Sequence, residues 1–114
     1  MKLFECVDIT YRDGTFLLQP KTKNEIDLVM LGFNGTEKWI RLQCIQHHSS
    51  GISNGTYDYT ITICKANGNT WNWHWGWSGF ELVSEGVRDM QHKIVDACKE
   101  WCSRTGVKFP GKGW

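Results

Sequence analysis

The chain has 114 residues, 40% of them hydrophobic and 22% charged, with two prolines; that is the size and make-up of one self-folding domain and excludes a linker-rich or disordered chain. Thirteen Lys and Arg against twelve Asp and Glu leave a formal charge of +1, which excludes the overall basic footprint of a nucleic-acid or anionic-membrane binder. The excess is in aromatics: seven Trp beside five Phe and three Tyr, side chains much used as binding surface.

The segment Met1 to Cys6 reaches Glu5 before any apolar run develops, so neither a signal peptide nor a membrane span is expected and the expected compartment is the cytoplasm. From Leu3 the sequence alternates through Val7, Ile9 and Tyr11, Asp13-Gly14 offers a tight turn, and Thr15 to Leu18 returns; this reads as a first hairpin over residues 3–18. Pro20 and the polar run to Asn24 close it. Residues 25–33, with Ile26, Leu28 and Met30 against Asp27, Val29 and Leu31, read as a central strand apolar on both faces. Asn34-Gly35 then turns into a strand over residues 38–46, with Ile40, Leu42 and Cys44 on one parity and Trp39, Arg41 and Gln43 on the other. A three-residue loop in this second hairpin sets Leu28 opposite Ile40 and Ile26 opposite Leu42.

The polar, glycine-rich run from His47 to Gly55 reads as an exposed loop. Thr56 to Cys64 alternates Tyr57, Tyr59, Ile61 and Ile63 with Thr56, Asp58, Thr60 and Thr62, the cleanest strand pattern in the chain. Lys65 to Asn69 turns it into Thr70-Trp71-Asn72-Trp73-His74-Trp75-Gly76-Trp77, where period two places four tryptophans in one row. A two-residue turn at Asn67-Gly68 would put that row on the Thr and Asp face, in water. A three-residue loop with Gly68 as a bulge in the left-handed region puts Trp71, Trp73, Trp75 and Trp77 opposite Ile63, Ile61, Tyr59 and Tyr57. The bulged register gathers apolar surface on one face and is the expected one.

After Ser84 the period changes to three and four, through Val87, Met90, Ile94, Ala97, Cys98 and Trp101, giving one amphipathic helix with Ser84 as N-cap and Gly106 as terminator. Its acidic residues, among them Glu85, Asp89, Asp96 and Glu100, alternate with Lys and Arg as on a solvated face. The whole reads as α+β: a six-stranded antiparallel β-meander curved around one C-terminal α-helix, with residues 1–106 as a single domain and 107–114 as a tail, docked or flexible.

No catalytic spacing emerges, and the expectation is a protein that is not an enzyme. His74 has no Ser, Cys or carboxylate at a partnering distance in sequence and reads as a surface histidine. Cys6, Cys44, Cys64, Cys98 and Cys102 are odd in number with no Cys-x-x-Cys; even with His47 and His48 near Cys44 they read as reduced thiols, so neither a metal nor a cofactor is expected. The expected role is a small non-catalytic binding protein with a protein partner, of the class of inhibitors, immunity proteins or mobile-element antagonists of a host, with no membrane partner. Under the bulged register its surface is the polar sheet face with Arg41, Asp58, Thr60, Thr62, Asn72 and His74. The alternative is a single-stranded nucleic-acid module stacking bases on Trp71, Trp73, Trp75 and Trp77, against which stands the lack of interleaved basic residues.

Overall fold

The computed structural model describes residues 2–21, 32–33, 37–46, 57–76, 79–80 and 85–111. It is an α+β fold in which five strands follow one another in an antiparallel meander: β1 (Val7–Arg12), β2 (Thr15–Pro20), β3 (Glu37–Gln46), β4 (Tyr57–Lys65) and β5 (Thr70–Gly76). Among the described residues Gly79–Phe80 adds a two-residue rung to the outer edge of β5. Among the described residues the sheet therefore has five strands of full length and not the expected six. A four-residue helical turn, α1 (Leu3–Cys6), precedes β1, and the long helix α2 (Glu85–Thr105) follows the sheet.

Two expectations fail here for physical reasons. Residues 3–6 do not extend β1; they coil so that Leu3 and Cys6 are both buried, a spacing of three that suits a helical turn and not a strand. The expected pairing of residues 25–33 with β3 is excluded because both sides of β3 are occupied. Ile40 lies between Leu18 of β2 and Ile63 of β4, and Leu42 between Phe16 and Ile61. Of the segment itself, residues 25–31 lie outside the described residues, as do Asn34-Gly35, the loop His47 to Gly55, Trp77, Ser84 and the tail end Lys112 to Trp114.

The turns obey local chemistry. Asp13 and Gly14 both take positive φ (49° and 82°), the two-residue hairpin turn whose twist matches flanking strands. Glycine is required at 14, since a Cβ there would stand 2.7 Å from the Cys44 carbonyl oxygen, and the Gly14 carbonyl accepts the Cys44 N–H at 2.7 Å. Gly68 takes φ 89°, its N–H bonds to the Lys65 carbonyl, and Lys65 N–H bonds to the Asn69 carbonyl. This is the bulged hairpin, and it sets Tyr59, Ile61 and Ile63 opposite Trp75, Trp73 and Trp71, the expected register.

One face of the sheet is core. Phe16, Leu18, Leu42, Ile61 and Ile63 have almost no exposed surface and meet Ile94, Val95 and Cys98 of α2, and burial of each large side chain contributes about 1.5–3 kcal/mol. Trp101 packs on Tyr11 and edge-on to Phe16, so α2 lies toward the β1 side. The helix ends at Gly106, at φ 80° with its N–H on the Cys102 carbonyl. The chain then returns across the sheet, where Phe109 stacks between Phe16 and Tyr59 and Pro110 accepts the Tyr59 hydroxyl at 2.8 Å. Through Gly111 the tail is docked. No helix among the described residues is long and apolar enough to cross a membrane.

Candidate functional site

Both helices lie on the core side, so the other side of the sheet is the face that no described helix covers. Cross-strand register builds it in rows: Thr10, Leu17, Arg41, Thr62 and Asn72 form one, and Arg12, Thr15, Gln43, Thr60 and His74 the next. Asp58 sits opposite Ile45. All six residues singled out on the sequence, Arg41, Asp58, Thr60, Thr62, Asn72 and His74, thus share one face.

Hydrogen bonds join most of them. Arg41 Nη2 donates to Thr62 Oγ1 in a long bond of 3.4 Å, and the Thr62 hydroxyl donates in turn to Asn72 Oδ1 at 2.6 Å. Because Thr62 accepts on one side and donates on the other, its proton is directed at Asn72, and the exposed Asn72 amide keeps its NH2 donors for solvent or a ligand. Lying between two longer side chains, Thr62 is only 3% exposed. Thr60 Oγ1 and His74 Nδ1 are 3.1 Å apart, the tautomer deciding which donates.

Three further residues of β3 belong to this face and were not singled out. The Arg41 guanidinium lies 5.7 Å from the Trp39 ring centroid, Gln43 shares the row of Thr60, and Ile45 is 48% exposed. Trp39, Gln43 and Ile45 have the parity of Arg41, which was signal enough to find them. Arg41 also carries a buried Nε with no hydrogen-bond partner, a donor whose burial costs roughly 1–3 kcal/mol when unmet.

The arrangement presents donors and an aromatic–guanidinium pair. The Thr60–His74 contact is a hydroxyl against an imidazole, yet it lies exposed on a sheet surface. Thr60 is paired with both Gln43 and His74 in the ladder, so its neighbouring backbone N–H groups are committed to the sheet and do not converge on an oxyanion. The thiols offer no nucleophile: all five are free and buried. Burial, and secondarily the neighbouring Cys102, pushes Cys44 up to about 12, and burial likewise raises Cys98 and Cys102, which holds them as unreactive thiols. Among the described residues no group of three or more His, Cys, Asp or Glu side chains is placed to hold a metal.

Trp71 and Trp73 of β5 fall on the core side, but the core does not cover them alike. Trp73 is half-buried and Trp71 is 59% exposed; Lys65 Nζ lies 5.6 Å from the Trp71 ring centroid and pairs at 3.1 Å with the buried Glu37. A helix about 10–12 Å wide cannot span five strands set about 4.8 Å apart, so β5 overhangs it. Trp75 pairs in register with Tyr59. No family model, curated protein or solved structure matches the chain.

Proposed function

We propose that the chain is a non-catalytic binding protein that engages a protein partner through the sheet face bearing Trp39, Arg41, Ile45, Thr62, Asn72 and His74. The observation that carries this reading is the hydrogen-bonded series from Arg41 through Thr62 to Asn72 across three strands. Ordering a long side chain on binding costs about 0.5–1.5 kcal/mol; here Arg41 is held beforehand by Trp39 and Thr62. Arg and Trp are the residues that most often dominate protein interfaces, and Ile45 adds an exposed apolar contact beside them.

A second reading, single-stranded nucleic acid, is favoured by the exposed Trp71 with Lys65 over it. Among the described residues it is served by one open indole with one cation, less than a stacking platform normally presents.

The test is native recovery of the tagged chain, with stoichiometry of co-purifying protein measured for wild type, Arg41→Glu and Trp71→Phe, alongside fluorescence titration with a single-stranded oligonucleotide at two salt concentrations. The expected result is a stoichiometric protein retained by wild type and Trp71→Phe and lost from Arg41→Glu. Salt-sensitive oligonucleotide binding lost from Trp71→Phe replaces the proposal with the second reading.

A further inference from the structure

Arg41 stands on β3, the middle strand of the five, with its charge uncompensated. Its contacts are the Trp39 ring, 5.7 Å away, and a long hydrogen bond from Nη2 to Thr62. Among the described residues no carboxylate pairs with it. Asp58, on the same face, is four residues along β4 from Thr62, about 13 Å at the rise of a strand. The Arg41 Nε–H is buried and has no acceptor. The free protein thus leaves both a charge and a donor unmet at one point of the face.

A second donor stands beside the guanidinium. Thr62 accepts from Arg41 and donates to Asn72 Oδ1 at 2.6 Å, an order that turns Asn72 Nδ2 away from Thr62; the other amide orientation would give Thr62 two donors and leave its own proton without an acceptor. Asn72 is exposed, so its NH2 opens to solvent. A group bound over Thr62 therefore meets N–H donors from two side chains and one full positive charge. A carboxylate has the matching complement, two acceptor oxygens and one negative charge, and Arg is the residue whose fork geometry suits it. A polyanion does not match: Asp8, Arg12, Arg41 and Asp58, the Asp and Arg residues paired in register across this face, carry two charges of each sign and give it no basic field.

We propose that Arg41 and Asn72 form a carboxylate receptor, and that its occupant is an Asp or Glu side chain of the protein partner. This rests on the binding reading above and names the chemistry which that reading leaves open. The carboxylate lies over Thr62 and accepts from the Arg41 guanidinium and from Asn72 Nδ2, while the half-buried Trp39 ring takes an apolar neighbour of the acidic residue. Contact with Trp39 on one side and Thr62 on the other holds the guanidinium in place before the partner arrives, so little ordering is left for binding to impose.

The probe is a library of random dodecapeptides displayed on phage and selected on the wild-type chain. Dissociation constants of the synthesised winners are then measured for wild type, Arg41→Gln, Asn72→Ala and Trp39→Ala, with far-UV circular dichroism to verify folding. The selected peptides are expected to share an Asp or Glu. Arg41→Gln raises the dissociation constant about 30-fold or more, as does changing the peptide's acid to its amide, and the two changes together add little because each removes the same pair. Asn72→Ala, at an exposed position, raises it about fivefold for the acidic peptide and leaves the amide peptide unmoved; this arm decides the matter if Arg41→Gln does not fold. Peptides weakened by Trp39→Ala that carry no acidic residue, or whose affinity is indifferent to Arg41→Gln, overturn the carboxylate receptor and leave the binding face standing. Peptides indifferent to both Trp39→Ala and Arg41→Gln, or a library that yields none, overturn the face as well.

Discussion

The Tyr59 hydroxyl donates to the Pro110 carbonyl 2.8 Å away, and beside that bond Phe109 stacks on the Tyr59 ring at 6.5 Å. A tail segment is thereby fastened to the middle of the sheet by one polar contact and, with Phe16 also stacked on Phe109, by two aromatic ones. Tyr59→Phe is expected to lose about 0.5–1.5 kcal/mol in urea unfolding. Phe109→Ala should lose roughly 2–3 kcal/mol, below the range for a fully buried phenylalanine because Phe109 is half-buried. Since the two residues touch, their double variant should depart from additivity by at least 0.5 kcal/mol, on the order seen for contacting pairs; strict additivity would mean that the tail is not seated there.

Gly14 and Gly68 separate strain from collision. Both have positive φ, but a Cβ at Gly68 meets nothing within 4 Å whereas one at Gly14 meets the Cys44 carbonyl. Gly68→Ala should cost about 1–2 kcal/mol, the left-handed penalty alone. Gly14→Ala should cost measurably more by the same urea midpoints, and equal losses would refute the close approach of the first turn to β3.

The Glu37–Lys65 pair should matter more than the surface pairs. Its carboxylate side chain is 1% exposed and its ammonium side chain 19%. Lys65→Ala is expected to cost about 3 kcal/mol, near the lower end for a broken buried pair. Lys2→Ala, which breaks a 3.7 Å pair with Glu100 from a largely exposed lysine, should fall within about 0.5 kcal/mol of wild type. Comparable losses from the two would show that Glu37 keeps its stabilisation without Lys65.

Alkali should unfold the protein through its thiols. Cys44 moves from an ordinary 9.0 to about 12, and Cys98 and Cys102 move in the same direction. Below pH 9 folded and unfolded chains both keep these protons. Between about 9 and about 12 the unfolded chain has released the Cys44 proton and the folded chain has not, so the unfolded state binds fewer protons and stability falls as pH rises. The slope is at most about 1.4 kcal/mol per pH unit for each such thiol. Urea midpoints from pH 8 to 11 should decline, and Cys44→Ala should decline less steeply; parallel declines would exclude this thiol as a source.

The indoles should divide by position. Removing Trp71 by Phe should delete a red-shifted, readily quenched part of the emission, and Trp73→Phe a bluer and better protected part. The reverse order under acrylamide quenching would contradict the overhang of β5.

What was legible in the sequence follows from where polarity and period agree. Ile61 and Ile63 against Thr60 and Thr62 leave one acceptable register for the Trp strand, and Gly68 supplies the backbone conformation that this register needs. The same alternation put Arg41, Asp58, Thr60, Thr62, Asn72 and His74 on one face. Residues 26–31 are apolar on both parities apart from Asp27, so their pattern has no period to read, and an apolar run of that length does not distinguish strand from helix; the sixth strand was drawn from it. Leu3 and Cys6 are spaced by three, but the stronger alternation from Val7 onward masked the turn. Phe109 meets Phe16 and Tyr59 through tertiary packing alone, which no local period encodes. Trp71 shows a different limit: register decides which side a residue is on, and helix width decides whether that side is covered there.

Leu3, Cys6 and Phe33 join the core face before the sheet is complete in sequence, but the larger part of its cover is supplied by residues 85–111, which follow the sheet. On a ribosome adding about 5–20 residues per second, the meander is complete in the nascent chain for about 1–5 s while Phe16, Leu18, Leu42 and Ile61 still lack Ile94, Val95, Cys98 and Phe109. During that interval a sheet with much of its apolar face uncovered is presented, a state prone to misassociation. Holding the half-made sheet apart from its copies until α2 emerges is thus a demand that this chain order places on the cell's chaperones, and slow codons between Phe80 and Glu85 would lengthen the exposure.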